Sequence, residues 1–194
     1  FIEWTKLLGT SAFDNAEAIT TGLDGSIYIA GYTEGDLDGQ TNSGSHDAFI
    51  SKFTSDGEKQ WTKLLGSSGM DDANSLEIGL DGSIYIAGST SGDLDGETNS
   101  GIDDAFISKF TSDGEQQWTK LLGSSNFDRV HEITTGLDGS IYITGSTYGD
   151  LDGQINSGRS DAFISKFNPD GEKQWTRHLG SDKDDFALHY AYDY

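Results

Sequence analysis

The sequence predicts an all-β fold, a β-propeller-like array of four-stranded antiparallel blades. Three observations predict it. Trp4, Trp61, Trp118 and Trp175 fall 57 residues apart, and residues 4–60 match residues 61–117 at 42 of 57 positions. Self-similarity at a fixed period marks a repeat architecture. Within each period, four short runs rich in β-branched and aromatic residues alternate with polar, glycine-bearing turns, as strands do. No run keeps apolar residues at a helical spacing, so essentially no α-helix is expected.

The elements follow in order within one period. Ala16 to Thr21 is the first strand. Asp24-Gly25 turns it into Ser26 to Thr33, the second. A long polar loop, Glu34 to His46, leads to the third, Ala48 to Thr54. Asp56-Gly57 then turns into the fourth, Glu58 to Leu65. Asp-Gly between two such runs signals a tight hairpin, expected here as a turn with both residues at positive φ. The pair recurs at Asp81, Asp113, Asp138 and Asp170. Ile27-Tyr28-Ile29-Ala30-Gly31 is apolar on both faces, as a strand between stacked blades should be. A β-solenoid is the main rival, but its coils are shorter and need no paired hairpins.

The chain reads as one repeat domain, 1–194, with blades at about 10–66, 67–123 and 124–180. Residues 1–9 and 181–194 are expected to add partial blade strands: a fourth-strand pattern at Glu3 to Leu8 and a degenerate first strand at Ala187 to Tyr192. A closed propeller typically needs four to eight blades. Self-association, or continuation in a longer chain, is therefore expected to cover the open faces and edges. The opening Phe1, without Met, suits a processed product or a piece of something longer.

With 33 acidic and 12 basic side chains, the formal net charge is −21. Nucleic acid and anionic membranes need a basic face and are not expected as partners. Cations are favoured. Cysteine is absent, which excludes a disulfide scaffold, a thiolate metal site and a cysteine nucleophile. No apolar run reaches the length of a transmembrane helix, so no membrane insertion is expected, and no signal peptide is visible.

Gly66-Ser67-Ser68-Gly69-Met70-Asp71-Asp72-Ala73-Asn74, Asp81-Gly82-Ser83-Ile84-Tyr85-Ile86-Ala87-Gly88-Ser89-Thr90, Asp104-Ala105-Phe106-Ile107-Ser108-Lys109-Phe110 and Asp113-Gly114-Glu115 together resemble the bacterial SBBP-type β-propeller repeat. The resemblance recurs in all three periods. It implies a propeller in a secreted or cell-surface bacterial protein, and it implies no enzymatic activity.

The long loop carries a second expectation, which rests on its residues and not on that resemblance. Asp36, Asp38, Gln40, Asn42 and Asp47 occupy positions 1, 3, 5, 7 and 12 of a twelve-residue block. The block returns as Asp93, Asp95, Glu97, Asn99 and Asp104, and as Asp150, Asp152, Gln154, Asn156 and Asp161. Ca²⁺ takes six to eight oxygen ligands at about 2.3–2.6 Å, often from a short loop with acidic residues at alternate positions. Gly39, Gly96 and Gly153 would let the backbone bend around the ion. These fifteen residues are the expected Ca²⁺ ligands. The alternative is that the Asp side chains cap turns and accept backbone N–H bonds. A second repeated acid, at Asp14, Asp71, Asp128 and Asp185, is expected to bond the neighbouring blade.

Catalytic signals are sparse. His46, His131, His178 and His189 share no repeat position and no zinc-like spacing. His131 alone lies on a first strand, which lines the channel of a propeller. It is the one visible candidate for a hydrolase or lyase. The repeated tryptophans suit core packing on the fourth strand better than sugar platforms. Binding is better sought where the repeats differ: Glu34, Ser91 and Tyr148; Ser45, Ile102 and Arg159; His46, Asp103 and Ser160; and, on the first strand, Glu17, Asn74 and His131. Varied loop tips on a fixed scaffold suit recognition. The sequence thus supports a non-enzymatic, calcium-binding propeller module, extracellular or at the cell surface, for adhesion or self-assembly. The alternative is a multivalent lectin-like propeller with a glycan ligand on each blade, and a protein ligand is also open.

Overall fold

The computed structural model describes residues 4–185 and 187. Three antiparallel sheets of four strands follow one another, each with its strands in chain order. Blade 1 holds β1 (Asp14–Thr21), β2 (Ile27–Thr33), β3 (Asp47–Phe53) and β4 (Lys59–Leu65). Blade 2 holds β5 (Asp71–Ile78), β6 (Ile84–Thr90), β7 (Asp104–Phe110) and β8 (Gln116–Leu122). Blade 3 holds β9 (Asp128–Thr135), β10 (Ile141–Thr147), β11 (Asp161–Phe167) and β12 (Lys173–Leu179). No α-helix occurs among the described residues.

The strands start and stop where turn chemistry dictates, with one change from the expected turns. In the hairpins, only the glycine has positive φ, as at Gly25 (+80°) and Gly57 (+77°); their aspartates do not. Gly25 N–H donates to the Gly22 carbonyl at 3.0 Å, and Gly22 N–H to the Ser26 carbonyl at 2.7 Å. The connection is therefore a three-residue loop, Leu23-Asp24-Gly25, closed by a left-handed glycine. Asp24 stays right-handed because its carboxylate accepts from the Ser26 N–H and Oγ, both at 2.9 Å. Two successive positive φ values do occur, but inside the long loop. Asp38 (+55°) and Gly39 (+76°) make a two-residue mirror turn, repeated at Asp95-Gly96 and Asp152-Gly153. Leu37 and Gln40 pair across it.

The first strand of each blade bulges opposite a glycine of the second, between Ala16 and Ala18, between Ala73 and Ser75, and at Gly145. A Cβ on Gly88 would lie 1.7 Å from the Asp72 carbonyl oxygen, so only glycine fits there.

The core sits in the seams between blades. Tyr28, Ala30, Ala48, Ile50 and Leu65 of blade 1 meet Leu76, Ile84, Ile86, Phe106 and Phe110 of blade 2. The same positions of blade 2, Tyr85, Ala87, Ala105, Ile107 and Leu122, meet blade 3. Alternation sends successive residues of a strand to opposite faces, so Ile84 and Ile86 enter one seam while Tyr85 and Ala87 enter the next. Every residue of β6 is buried. Lys52 Nζ straps the first seam, donating to the Ser112 carbonyl at 3.2 Å, and Lys109 straps the second through the Pro169 carbonyl at 3.3 Å.

The tryptophans of β4 and β8 reach across the two seams. Trp61 lies on Gly114 and Trp118 on Gly171. These glycines meet two demands at once: positive φ and a ring where a Cβ would stand. Trp4 lies on Gly57 in the same way, although residues 4–13 carry no strand. A fourth strand pairs with the third strand of its own blade, and no described residues supply one before Trp4. Glu3 and residues 188–192 of the expected end strands lie outside the described residues.

Candidate functional site

The fifteen loop residues do not converge. Asp36, Asp93 and Asp150 each accept the backbone N–H of the loop asparagine six residues on, all at 2.9 Å. Asp38 turns to the fourth strand, where Lys59 and the Thr62 hydroxyl donate to it. Asp95 accepts from Gln116 Nε2 at 2.7 Å, and Asp152 pairs with Lys173. Gln40 and Gln154 bridge fourth-strand backbone, and Glu97 pairs with Lys120 at 2.6 Å. Asn42, Asn99 and Asn156 turn the other way, donating to the second-strand carbonyls of Thr33, Thr90 and Thr147 at 2.8–3.0 Å. Second and fourth strands flank the third on opposite sides, roughly 10 Å apart.

The loop is thus a clasp spanning three strands. Asp36, Asp38, Gln40, Asp95, Glu97, Asp152 and Gln154 each already accept a protein donor. Among the described residues, no three Asp, Glu or His side chains gather as a metal centre. Leu37, Leu94 and Leu151, at position 2 of each block, are buried and pin the clasp to the core.

The remaining loop acids, Asp47, Asp104 and Asp161, are fully buried at the start of the third strands, as are Asp71 and Asp128 at the start of first strands. Asp47, Asp104 and Asp161 accept the N–H of Ser43, Ser100 and Ser157 at 2.8–2.9 Å. Asp71 accepts from the Ser67 N–H and Oγ, in the connection from blade 1, and from Thr90 of its own blade. A backbone bridge brings the two kinds together: Asp71 N–H donates to the His46 carbonyl, and Asp128 N–H to that of Asp103. Burial pushes the Asp47, Asp71, Asp104 and Asp128 carboxyls above their usual range. The facing carboxylate adds to the rise at Asp71 and at Asp104. Among the described residues, Oδ1 of Asp47, Asp104 and Asp161 has no hydrogen-bond partner.

Above these acids, the seam rims differ. At the first, His46 stacks on Tyr32 (centroids 4.8 Å apart) between Glu34 (3.3 Å) and Asp72 (3.2 Å). At the second, Asp103 on blade 2 meets Arg129 on blade 3 at 2.7 Å. His131 bonds Ser146 of its own blade at 3.0 Å. Burial lowers its pKa, and Arg129 lowers it further. His178 is buried beside Asp161, and among the described residues its ring nitrogens have no hydrogen-bond partner. His189 lies outside the described residues. Two of the variable positions, Tyr148 and Arg159, come together with Asn126, Phe127, Arg129 and Gly158. They line an open cleft of about 590 Å³ on the second rim.

Three consecutive four-stranded blades joined through apolar seams define a β-propeller-type repeat module. Residues 117–152 match the SBBP beta-propeller repeat, so this repeat is present in the chain. The stretch runs from the fourth strand of blade 2 into the long loop of blade 3. The regulatory protein FlaEY of Caulobacter vibrioides is similar, at 31% identity over 186 residues, covering 85% of this chain and 20% of that protein. An uncharacterized WD repeat-containing protein, L264, of Acanthamoeba polyphaga mimivirus is 22% identical over 230 residues, covering 93% of this chain and 17% of that protein. The chain thus spans about a fifth of the length of these relatives. Among solved structures, a protein of unknown function from Bacteroides caccae superposes with a TM-score of 0.49. The match covers 85% of this chain and 46% of that one at 13% identity.

Proposed function

We propose that the chain is a non-enzymatic propeller module for self-assembly or adhesion, whose two open faces join further blades of the same repeat. One observation carries this reading. Leu65 and Leu122 are each 6% exposed in seams, whereas Leu179, at the same repeat position, is 67% exposed. At the opposite end Ile19 is 72% exposed, while its equivalents Leu76 and Ile133 are 6% and 2%. One end therefore offers the face that blades 1 and 2 use to receive a successor, and the other offers the face that receives a predecessor. Such a contact is head-to-tail: it closes a ring or extends an array. In the isolated chain the partner is a second copy; in a longer chain it is another blade. The cell-surface or extracellular setting implied by the repeat resemblance is part of this proposal, and antibody labelling of intact producing cells checks it.

Sedimentation equilibrium tests the assembly. Concentration-dependent self-association is expected. Ile29→Asp on one end face or Ile164→Asp on the other should stop growth in each variant alone, while an equimolar mixture forms dimers through the two intact faces. A chain that stays monomeric at all concentrations, or a mixture with no heterodimer, would overturn the reading.

A further inference from the structure

We propose that the cleft of Asn126, Phe127, Arg129, Tyr148 and Arg159 binds a carboxylated sugar, such as a hexuronic acid unit of an acidic glycan. The cleft runs from the rim of the second seam to Gly158 and Arg159 beside Asp184, and blade 3 alone supplies its side chains. The same positions carry Gly69, Met70, Asp72, Ser91 and Ile102 in blade 2, and Ala12, Phe13, Asn15, Glu34 and Ser45 in blade 1. Only in blade 3 do cationic and aromatic groups coincide. The chain has three arginines, and two of them are here.

The chemistry of the lining selects the ligand. A guanidinium offers five N–H donors in a planar fork that matches a carboxylate. Asp103 takes two from Arg129, through Nε at 3.2 Å and Nη2 at 2.7 Å, and so fixes that fork in place. Arg159 is 80% exposed, with Asp184 only at 3.9 Å, so most of its fork faces solvent. Arg129 also lies over the Phe127 ring at 5.4 Å. Phe127 and Tyr148 meet edge to face, centroids 6.0 Å apart, and form an aromatic wall beside the cations. Asn126 donates to the Tyr148 carbonyl at 3.1 Å and so holds the far wall. An anion with an apolar ring face and hydroxyls satisfies all three chemistries: fork, ring and amide. A uronic acid has each of them. The volume suits a small ligand.

The experiment is calorimetric titration of the intact chain with trigalacturonic acid, its methyl ester, the neutral maltotriose, and benzoate. Trigalacturonic acid should bind at least about tenfold more tightly than each of the others. Tyr148→Ser and Arg159→Ile place at these positions the residues blade 2 already folds with. Each should weaken binding about tenfold or more and leave the melting temperature unchanged. Equal binding of ester and acid, benzoate as good as the trimer, or full binding by R159I would each overturn the proposal. So would the absence of any heat with trigalacturonic acid at about 10 mM, a concentration that detects even millimolar affinity. Ile29 and Ile164 are not among the residues that line the cleft, so the end-face variants and the cleft variants read self-association and sugar binding separately.

Discussion

Blades 1 and 2 carry the same second strand, Ile-Tyr-Ile-Ala-Gly, yet it does different work in each. In β6 every residue is buried, whereas in β2 Ile27 and Ile29 are only half covered. The difference lies in what stacks against the strand, not in the strand. Burial here is a property of place in the array, as expected where stability is a sum of blade and interface terms.

The largest break in this comparison comes from one substitution made twice. Ile86→Ala in the middle blade should cost about 2–5 kcal/mol, the range for a filled core site. Ile29→Ala, the same change one period earlier, should cost about 1 kcal/mol, since less apolar surface returns to water. Chemical denaturation of both variants measures this. If the two costs are equal, the end face is already covered in solution.

The next effect separates the two rims. Arg129→Gln leaves the nearly buried Asp103 carboxylate without its cation and should cost about 1–2 kcal/mol. Restoring the pair in reverse, as Asp103→Arg with Arg129→Asp, should recover part of that loss in the same unfolding assay. No recovery would mean that packing by the Arg129 stem dominates.

Acidification gives a smaller change. Four buried carboxyls with raised pKa values bind protons more readily in the folded than in the unfolded state. Where the folded protein holds more protons, stability falls as pH rises. It should therefore increase as pH drops from 7 toward the unfolded carboxylate value near 3.8. Below that value, carboxylates with lowered pKa, such as Asp24, held down first by its bonds from Ser26, lose their contribution. Asp104→Asn should raise the melting temperature at pH 7.5 and flatten the gain on acidification. A melting temperature that falls steadily below pH 7 would contradict the burial argument.

The smallest expected effect is that of calcium. With the loop oxygens bonded across three strands, adding about 1 mM Ca²⁺ to chelator-treated protein should move the melting temperature by less than about 1 °C. A rise of several degrees, lost on changing Asp38, Asp95 and Asp152 to Ala, would show that the clasps open around an ion.

The architecture was legible because its signals are local. The 57-residue period, the Asp-Gly punctuation and the doubly apolar second strand each read directly as blade structure. Even so, Asp-Gly carries two meanings: the hairpins use only its glycine at positive φ, and the mirror turn at Asp38-Gly39 uses both residues. The loop acids were legible as a repeated group but not in role, since their partners Lys59, Thr62 and Thr33 lie in strands on either side of β3. The cleft was half legible. Tyr148 and Arg159 stood out because the repeats differ there. Their meeting with Phe127 and Arg129 depends on the pairing of β9 with β10, closed by the Tyr148 N–H on the Phe127 carbonyl at 2.9 Å, while a bridge between Asp103 and Phe127 seats that segment across the seam.

That bridge recurs at His46 with Met70 and at Ser160 with Asp184, and it gives the array a direction of growth. The residues that open blades 2 and 3 dock on a loop made some two dozen residues earlier, and β5 packs against β1 and β2, which precede it in the chain. Each blade thus emerges from synthesis onto a finished template, and the chain can be laid down course upon course, like masonry, without waiting for its far end.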